Sequence, residues 1–249
     1  YLTSFFILLI LSSLLFKQLT WTHKIGDILI SVYQPNLELE EKWSFRGIEK
    51  TKELIEDSIV NAKNSEFIFF PETALIKSEM DLDVWLKDID SKLKLKNIAL
   101  ITGIIGRISN QKVTNRVQGF GKAEGFYDKR HLVPFGEYVP LVDYLEKVLY
   151  LLGLERLNNI TTVPGETFNN IKVGEIKISP AICYEIAFND LVREASINSN
   201  LLLTISNDTW FGRSIGPEQH LEIAQNRALE HQMSLIRSTN SGISAIINK

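Results

Sequence analysis

The hydrophobic positions of this chain fall into three kinds of run. The first, Leu2–Phe16, is apolar except for Thr3, Ser4, Ser12 and Ser13 and carries no charge. A bilayer span takes about 20 apolar residues. Leu19 and Trp21 extend the run, and Tyr1 and Trp21 suit the two interfaces as aromatic anchors. No basic leader or small-residue cleavage site marks a signal peptide. The pattern therefore predicts a transmembrane helix over residues 1–22.

The second kind is short and continuous, at residues 67–70, 98–105, 178–182 and 201–205. Such runs are expected of strands buried on both faces. The third kind has helical spacing. It covers 48–62, with Ile48, Leu54, Ile55 and Ile59 inward, then 82–95, 188–198 and 217–231, with Leu221, Ala224 and Ala228 on one face. Further strands are predicted at 27–33, twice within 113–127, and as a hairpin of 168–173 with 176–182 about Gly174-Glu175. Residues 235–239 and 243–248 complete a strand pair. Strands alternating with helices predict an α/β fold of sheets covered by helices, as one domain over 25–249. Tyr1 in place of Met, and a strand pattern that runs to Lys249, read as the ends of a piece cut from a longer chain.

Residues 138–154 stand apart. Leu141, Tyr144, Leu145, Val148, Leu149 and Leu152 share one helical face, and Tyr150, Leu151 and Leu154 add apolar area beyond it. A single buried stripe does not need that surplus. The segment is predicted to include an exposed apolar lid, with Leu149 and Leu152 contacting substrate; the alternative is a core helix.

Composition narrows the chemistry. The chain has 249 residues, 45% hydrophobic, with a formal net charge of -3. That length allows a large core, and the balanced charge offers no basic face for nucleic acid. Cys183 is the one cysteine, so no internal disulfide or CxxC site can form. The four histidines show no HExxH spacing, and there is no GxSxG. Gly119, Gly121 and Gly125 are spaced wrongly for a dinucleotide loop. Neither metal nor cofactor is expected.

Three chemistry-bearing groups follow directly on apolar runs: Pro71-Glu72-Thr73, Cys183-Tyr184-Glu185 and Ser206-Asn207-Asp208. The ends of buried strands are where α/β sheets collect functional groups. A carboxylate there is poorly solvated, which tends to raise its pKa towards that of a general base. The alternative for Glu72 is an acid favoured by a helix N-terminus. Between these groups lies the stretch from Tyr127 to Pro140, which mixes charges with aromatics, two prolines and Gly136. A structured loop holds both kinds of residue.

These residues resemble the Glu-Lys-Cys triad of the nitrilase superfamily. The matching stretches are Pro71-Glu72-Thr73, Lys129 within Asp128 to Glu137, and Ala181-Ile182-Cys183-Tyr184-Glu185. The stretches 131–140, 203–212, 214–217 and 237–243 further resemble the bacterial apolipoprotein N-acyltransferases. The resemblance implies a nitrilase-like four-layer α-β-β-α sandwich preceded by a transmembrane helix. It implies a catalytic domain on the periplasmic side of the bacterial inner membrane. The implied reaction moves a fatty acyl chain from a phospholipid, through a cysteine thioester, to the amine of a lipoprotein's N-terminal diacylglyceryl-cysteine.

In this reading Cys183 is the nucleophile, Glu72 the base and Lys129 the oxyanion partner. Glu137, Glu185, Tyr184 and Asn115 support the site, the two glutamates by positioning Lys129 and tuning Cys183. Trp43 and Trp210 line it, against an alternative of ordinary core packing. A tethered amidase with the same triad but a small polar pocket is the runner-up. A catalytically dead binding domain is the non-enzyme alternative, and three intact triad residues argue against it.

Overall fold

The computed structural model describes residues 2–16, 22–62, 65–138, 140 and 161–248. Two mixed sheets carry the fold. The first has seven strands. Along it run β1 (Ile30–Val32), β2 (Phe67–Phe69), β4 (Ala99–Arg107), β5 (Lys112–Gly121) and β6 (Phe126–Asp128). The short β3 (Leu75–Ser78) joins β4, and β7 (Thr161–Thr162) joins β5. The second sheet runs β12 (Ala245–Ile247), β11 (Leu235–Thr239), β10 (Leu201–Ser206), β9 (Ile176–Ile182) and β8 (Ile171–Val173). Strands β1, β2 and β4 are parallel, as are β9, β10 and β11, while β8 and β12 pair antiparallel at the rims.

Successive side chains of a strand point to opposite faces, and here both faces are apolar. Phe67, Phe69, Ala99 and Ile101 meet Ile178, Ile182, Leu201, Leu203 and Ile205 between the sheets. Ile68, Phe70, Leu100 and Ile104 face the other way, against Ile55 and Ile59 of the helix Phe45–Asn61 and Leu86, Ile89 and Leu93 of the helix Asp83–Lys96. Ala181, Leu202 and Leu235 likewise pack on Val192, Ala224 and Ala228 of the helices Asn189–Ala195 and Gly216–His231. The layers are therefore α-β-β-α, as the family resemblance implies, and the continuous apolar runs are the strands that helices cover. Strand β3 has no counterpart in the sequence reading, because Lys77 breaks its short apolar pattern.

The expected transmembrane helix over 1–22 is not supported among the described residues. The described helix, Leu2–Phe16, has 15 residues and buries none of them. At about 1.5 Å per residue it rises roughly 22 Å, short of a hydrocarbon layer of about 30 Å. Among the described residues no helix is long and apolar enough to cross a membrane. The expected helix and lid over 138–154, with Leu149 and Leu152, lie outside the described residues apart from Tyr138 and Pro140.

The inter-sheet layer should dominate stability. Phe69 is completely buried, so Phe69→Ala should cost about 3–5 kcal/mol in urea unfolding. Val84→Ala, on an exposed helix face, should stay within about 0.5 kcal/mol. Equal losses at both positions would contradict this layering.

Candidate active site

The parallel strands of both sheets end in the same region. Glu72 stands three residues beyond the end of β2, Cys183 directly follows β9, and Asn207 directly follows β10. Lys129 directly follows β6. These four meet although the sequence separates them widely.

Glu72 is buried, 6% exposed. Its Oε1 accepts from Asn115 Nδ2 at 2.7 Å and lies 3.4 Å from Lys129 Nζ. Its Oε2 accepts from the Asn207 backbone N–H at 2.8 Å. The Cys183 thiol is near enough to help hold the Glu72 carboxyl below its ordinary pKa. The turn that carries Glu72 is tight: Thr73 has φ 43, left-handed for a residue with a Cβ. Gly103 of β4 lies against it, and a Cβ there would stand 2.4 Å from the Thr73 nitrogen and 2.5 Å from the Pro71 oxygen.

Lys42 supports the same turn from below. Its ammonium is 3% exposed and donates to the Glu72 carbonyl at 2.8 Å and to Thr73 Oγ1 at 2.9 Å. Burial pulls its pKa down to about 8, against the raising influence of Glu72 and Cys183. Burial alone would raise the Glu72 carboxyl, as the sequence reading expects. Lys129, Lys42 and the donors on Asn115 and Cys183 outweigh it, and the net shift is downward. That expectation is corrected: cations from distant segments decide the sign.

Lys129 is 1% exposed. Burial would lower its pKa, but Glu72, Cys183 and Glu137 together raise it, so it stays an ammonium. Its Nζ donates to Glu137 Oε1 at 2.9 Å. Glu137 also accepts from Asn115 Nδ2 at 3.1 Å and from the Val133 N–H at 2.8 Å. Asn115 thus bridges the two carboxylates that flank Lys129.

Cys183 begins the 3-10 turn Cys183–Ala187 with φ 54, again left-handed. Burial first, and then the Glu72 charge, push its thiol up to about 12, although Lys129 pulls the other way. At neutral pH the arrangement is therefore a thiol beside a carboxylate, with an ammonium alongside.

Glu185 does not reach the sulfur. It is fully buried, and its Oε1 accepts from Tyr127 OH at 2.8 Å and from the N–H groups of Arg130 and His131 at 2.7 and 3.0 Å. Its Oε2 accepts from the Ile182 N–H at 2.8 Å. One carboxylate therefore ties the loop after Lys129 to the residue before Cys183. Burial raises its pKa despite these four donors.

A cavity of about 770 Å³ opens over the cysteine. Trp43, Phe135, Tyr184 and Trp210 line it, and they are exposed by 54%, 81%, 40% and 68%. Trp43 and Trp210 are thus wall residues rather than core packing. Tyr184 packs edge-on to Phe188, with ring centroids 4.8 Å apart.

Sequence reading missed Lys42, Asn207 as a donor, and a buried group formed by Ser206, Asp208, His220 and Arg237. Arg237 carried a signal, a charge inside the apolar strand β11. Lys42 carried none, since it follows Glu40 and Glu41 in what looks like a solvated stretch.

A two-sheet α/β sandwich with a Glu-Lys-Cys cluster at its strand ends is the arrangement that the resemblance to the nitrilase superfamily implies. The carbon-nitrogen hydrolase family matches residues 29–249, and the chain belongs to it. Nit3 of Saccharomyces cerevisiae, a member of branch 10 of the nitrilase superfamily, shares the fold. Its TM-score is 0.63 at 16% identity, over 89% of this chain and 82% of its own. Sequence relatives are more specific. The apolipoprotein N-acyltransferase of Photobacterium profundum is 37% identical over 238 residues, covering 88% of this chain and 44% of its own length. That of Wigglesworthia glossinidia brevipalpis is 41% identical over 202 residues, covering 78% and 39%. The chain spans less than half the length of these relatives.

Two outcomes follow from this geometry. Removing one cation in Lys42→Met should raise the pH at which Glu72 titrates, since the carboxylate loses a stabilising charge. NMR of carbon-13 glutamate would follow it, and an unmoved or lowered titration would refute the Lys42 contribution. Gly103→Ala should destabilise the chain by about 1–3 kcal/mol in denaturant, because its Cβ has only backbone to meet. A neutral effect would mean that the Glu72 turn yields freely.

Proposed function

We propose that this chain carries the catalytic domain, over 25–249, of an apolipoprotein N-acyltransferase acting at the bacterial inner membrane, on its periplasmic side. The observation that carries the reading is a half-buried thiol beside a buried carboxylate and ammonium, beneath a cavity with an apolar mouth. The cluster suits acyl transfer through sulfur. The mouth suits a lipid chain. A small polar amide substrate has no use for exposed Trp43, Phe135 and Trp210 around the entrance.

In this reading Cys183 attacks the ester carbonyl of a phospholipid as its proton passes to Glu72. A thiol pushed up to about 12 is not ionised beforehand, so attack and proton transfer go together. The oxyanion forms beside Lys129, and a backbone N–H near Tyr184 is a second donor. The intermediate collapses, the carbon-oxygen bond breaks, and Glu72 returns its proton to the departing lysophospholipid. The thioester that remains is attacked by the α-amine of the diacylglyceryl-cysteine. Glu72 takes the ammonium proton and delivers it to the sulfur as the thioester opens, which leaves the amide product and a free thiol.

Mass spectrometry after incubation with phospholipid vesicles tests the first half. The chain should gain one fatty-acyl mass at Cys183, Cys183→Ala should gain none, and Cys183→Ser should gain little, since a hydroxyl is the weaker nucleophile at neutral pH. Lys129→Ala should acylate about a hundredfold to a thousandfold more slowly. Acylation at the normal rate in Lys129→Ala would remove its oxyanion role, and an adduct on Cys183→Ala would remove the thioester.

A further inference from the structure

A second polar cluster meets Cys183 through the main chain. His220, on the second turn of the helix Gly216–His231, places Nε2 3.2 Å from the Cys183 carbonyl oxygen. Its Nδ1 lies 3.0 Å from Asp208 Oδ1. Asp208 Oδ2 accepts from Arg237 Nη2 at 2.6 Å, and both side chains of that ion pair are fully buried. Arg237 is anchored in turn by Nε, which donates to the Ile243 carbonyl at 3.0 Å. Ser206 Oγ donates to Asp208 Oδ1 at 2.5 Å.

Four segments of chain thus converge on one residue. The last residue of β10, the loop after it, one helix and β11 are joined by charge-assisted hydrogen bonds. Both partners of the His220 ring are acceptors, a carbonyl and a carboxylate. Backbone space is reserved for this group: a Cβ on Gly242, at φ 94, would stand 2.6 Å from Asp208 Oδ2.

What the cluster grips is the strained point of the site. Cys183 is a non-glycine residue at φ 54, a conformation that persists only where its surroundings enforce it. Glu185 holds the peptide N–H before it. His220 holds the carbonyl after the Cα. We propose that His220, braced by Asp208 and Arg237, is a positioning residue that clamps the Cys183 carbonyl and so aims the sulfur at Glu72. The inference rests on the reading of Cys183 as the acyl acceptor.

The test uses p-nitrophenyl butyrate, a soluble ester that needs no membrane, and follows the first-turnover burst of p-nitrophenol. Circular dichroism checks folding. His220→Gln keeps an amide donor where Nε2 stands, and His220→Asn keeps one where Nδ1 stands. The clamp predicts that His220→Asn slows the burst about a hundredfold, the scale of a reacting group misplaced by an ångström, and that His220→Gln recovers most of the rate. Should His220→Asn not fold, Gly242→Ala, whose Cβ would meet Asp208 on a backbone at φ 94, should slow the burst as well. A burst lost in Cys183→Ala but undiminished in His220→Asn or Gly242→Ala overturns the clamp alone. So does a His220→Gln variant as slow as His220→Asn, which would place the role of His220 in holding Asp208. A wild-type chain without a burst, or a burst kept in Cys183→Ala, overturns the acyl-acceptor reading and the clamp together.

Discussion

Everything in this site depends on keeping one buried carboxylate ionised. Removing an ion from water costs several kcal/mol even after the protein relaxes, and Glu72 is almost wholly enclosed. Two ammonium groups, an amide and a backbone N–H gather around it. These neighbours lower its pKa where burial alone would raise it. The same carboxylate raises the thiol of Cys183. The proton therefore rests on sulfur while its acceptor stands ready beside it. A pair this buried is not built for stability, because well-packed apolar groups of similar volume are often as stable.

The fold serves that cluster by bringing strand ends together. Strands β2, β9 and β10 are continuous apolar runs because both their faces are covered. Rigid strands leave the chemistry to the turns that follow them, and those turns need independent fixing. Glu185 supplies one tie, between the loop after Lys129 and the residue before Cys183. Lys42 supplies another, to the backbone of Glu72 and the hydroxyl of Thr73. In each case a single charged side chain spans segments far apart in sequence. The site's order rests on polar ties rather than on packing, which suits two residues held at positive φ.

The difference between packing and polar ties explains what could be read from the residues alone. Two-sided burial gives β2, β4, β9 and β10 a continuous apolar signature, so both sheets and their helix cover were legible. The motifs around Glu72 and Cys183 follow β2 and β9 and were legible for the same reason, whereas Lys129 was found in the charged, aromatic loop between them through the family resemblance. Long-range charge was not. No local pattern links Lys42 to Glu72, so the direction of the Glu72 shift was read from burial alone and came out reversed. Asp208 was visible at a strand end and Arg237 inside an apolar strand, yet His220 looked like any other histidine until the fold placed it on Cys183. The first helix was legible as an apolar run, and its described part is Leu2–Phe16.

Lys129 contacts two carboxylates, and one would seem enough to hold an ammonium. Counting charge through the proposed reaction shows why both are needed. At rest, Lys42 and Lys129 balance Glu72 and Glu137, with the thiol neutral. When sulfur attacks, its proton neutralises Glu72 and a negative charge appears on the substrate oxygen. The total is unchanged, and the negative charge has only moved from one neighbour of Lys129 to another. Glu137 keeps its hold throughout, through Lys129 Nζ, the Asn115 amide and the Val133 N–H. The ammonium therefore stays in place while its second partner changes from carboxylate to oxyanion. A preorganised charge acts most strongly where nothing has to reorient at the moment of reaction. With Glu72 as the only partner, protonation of the base would release Lys129 at the instant it is required.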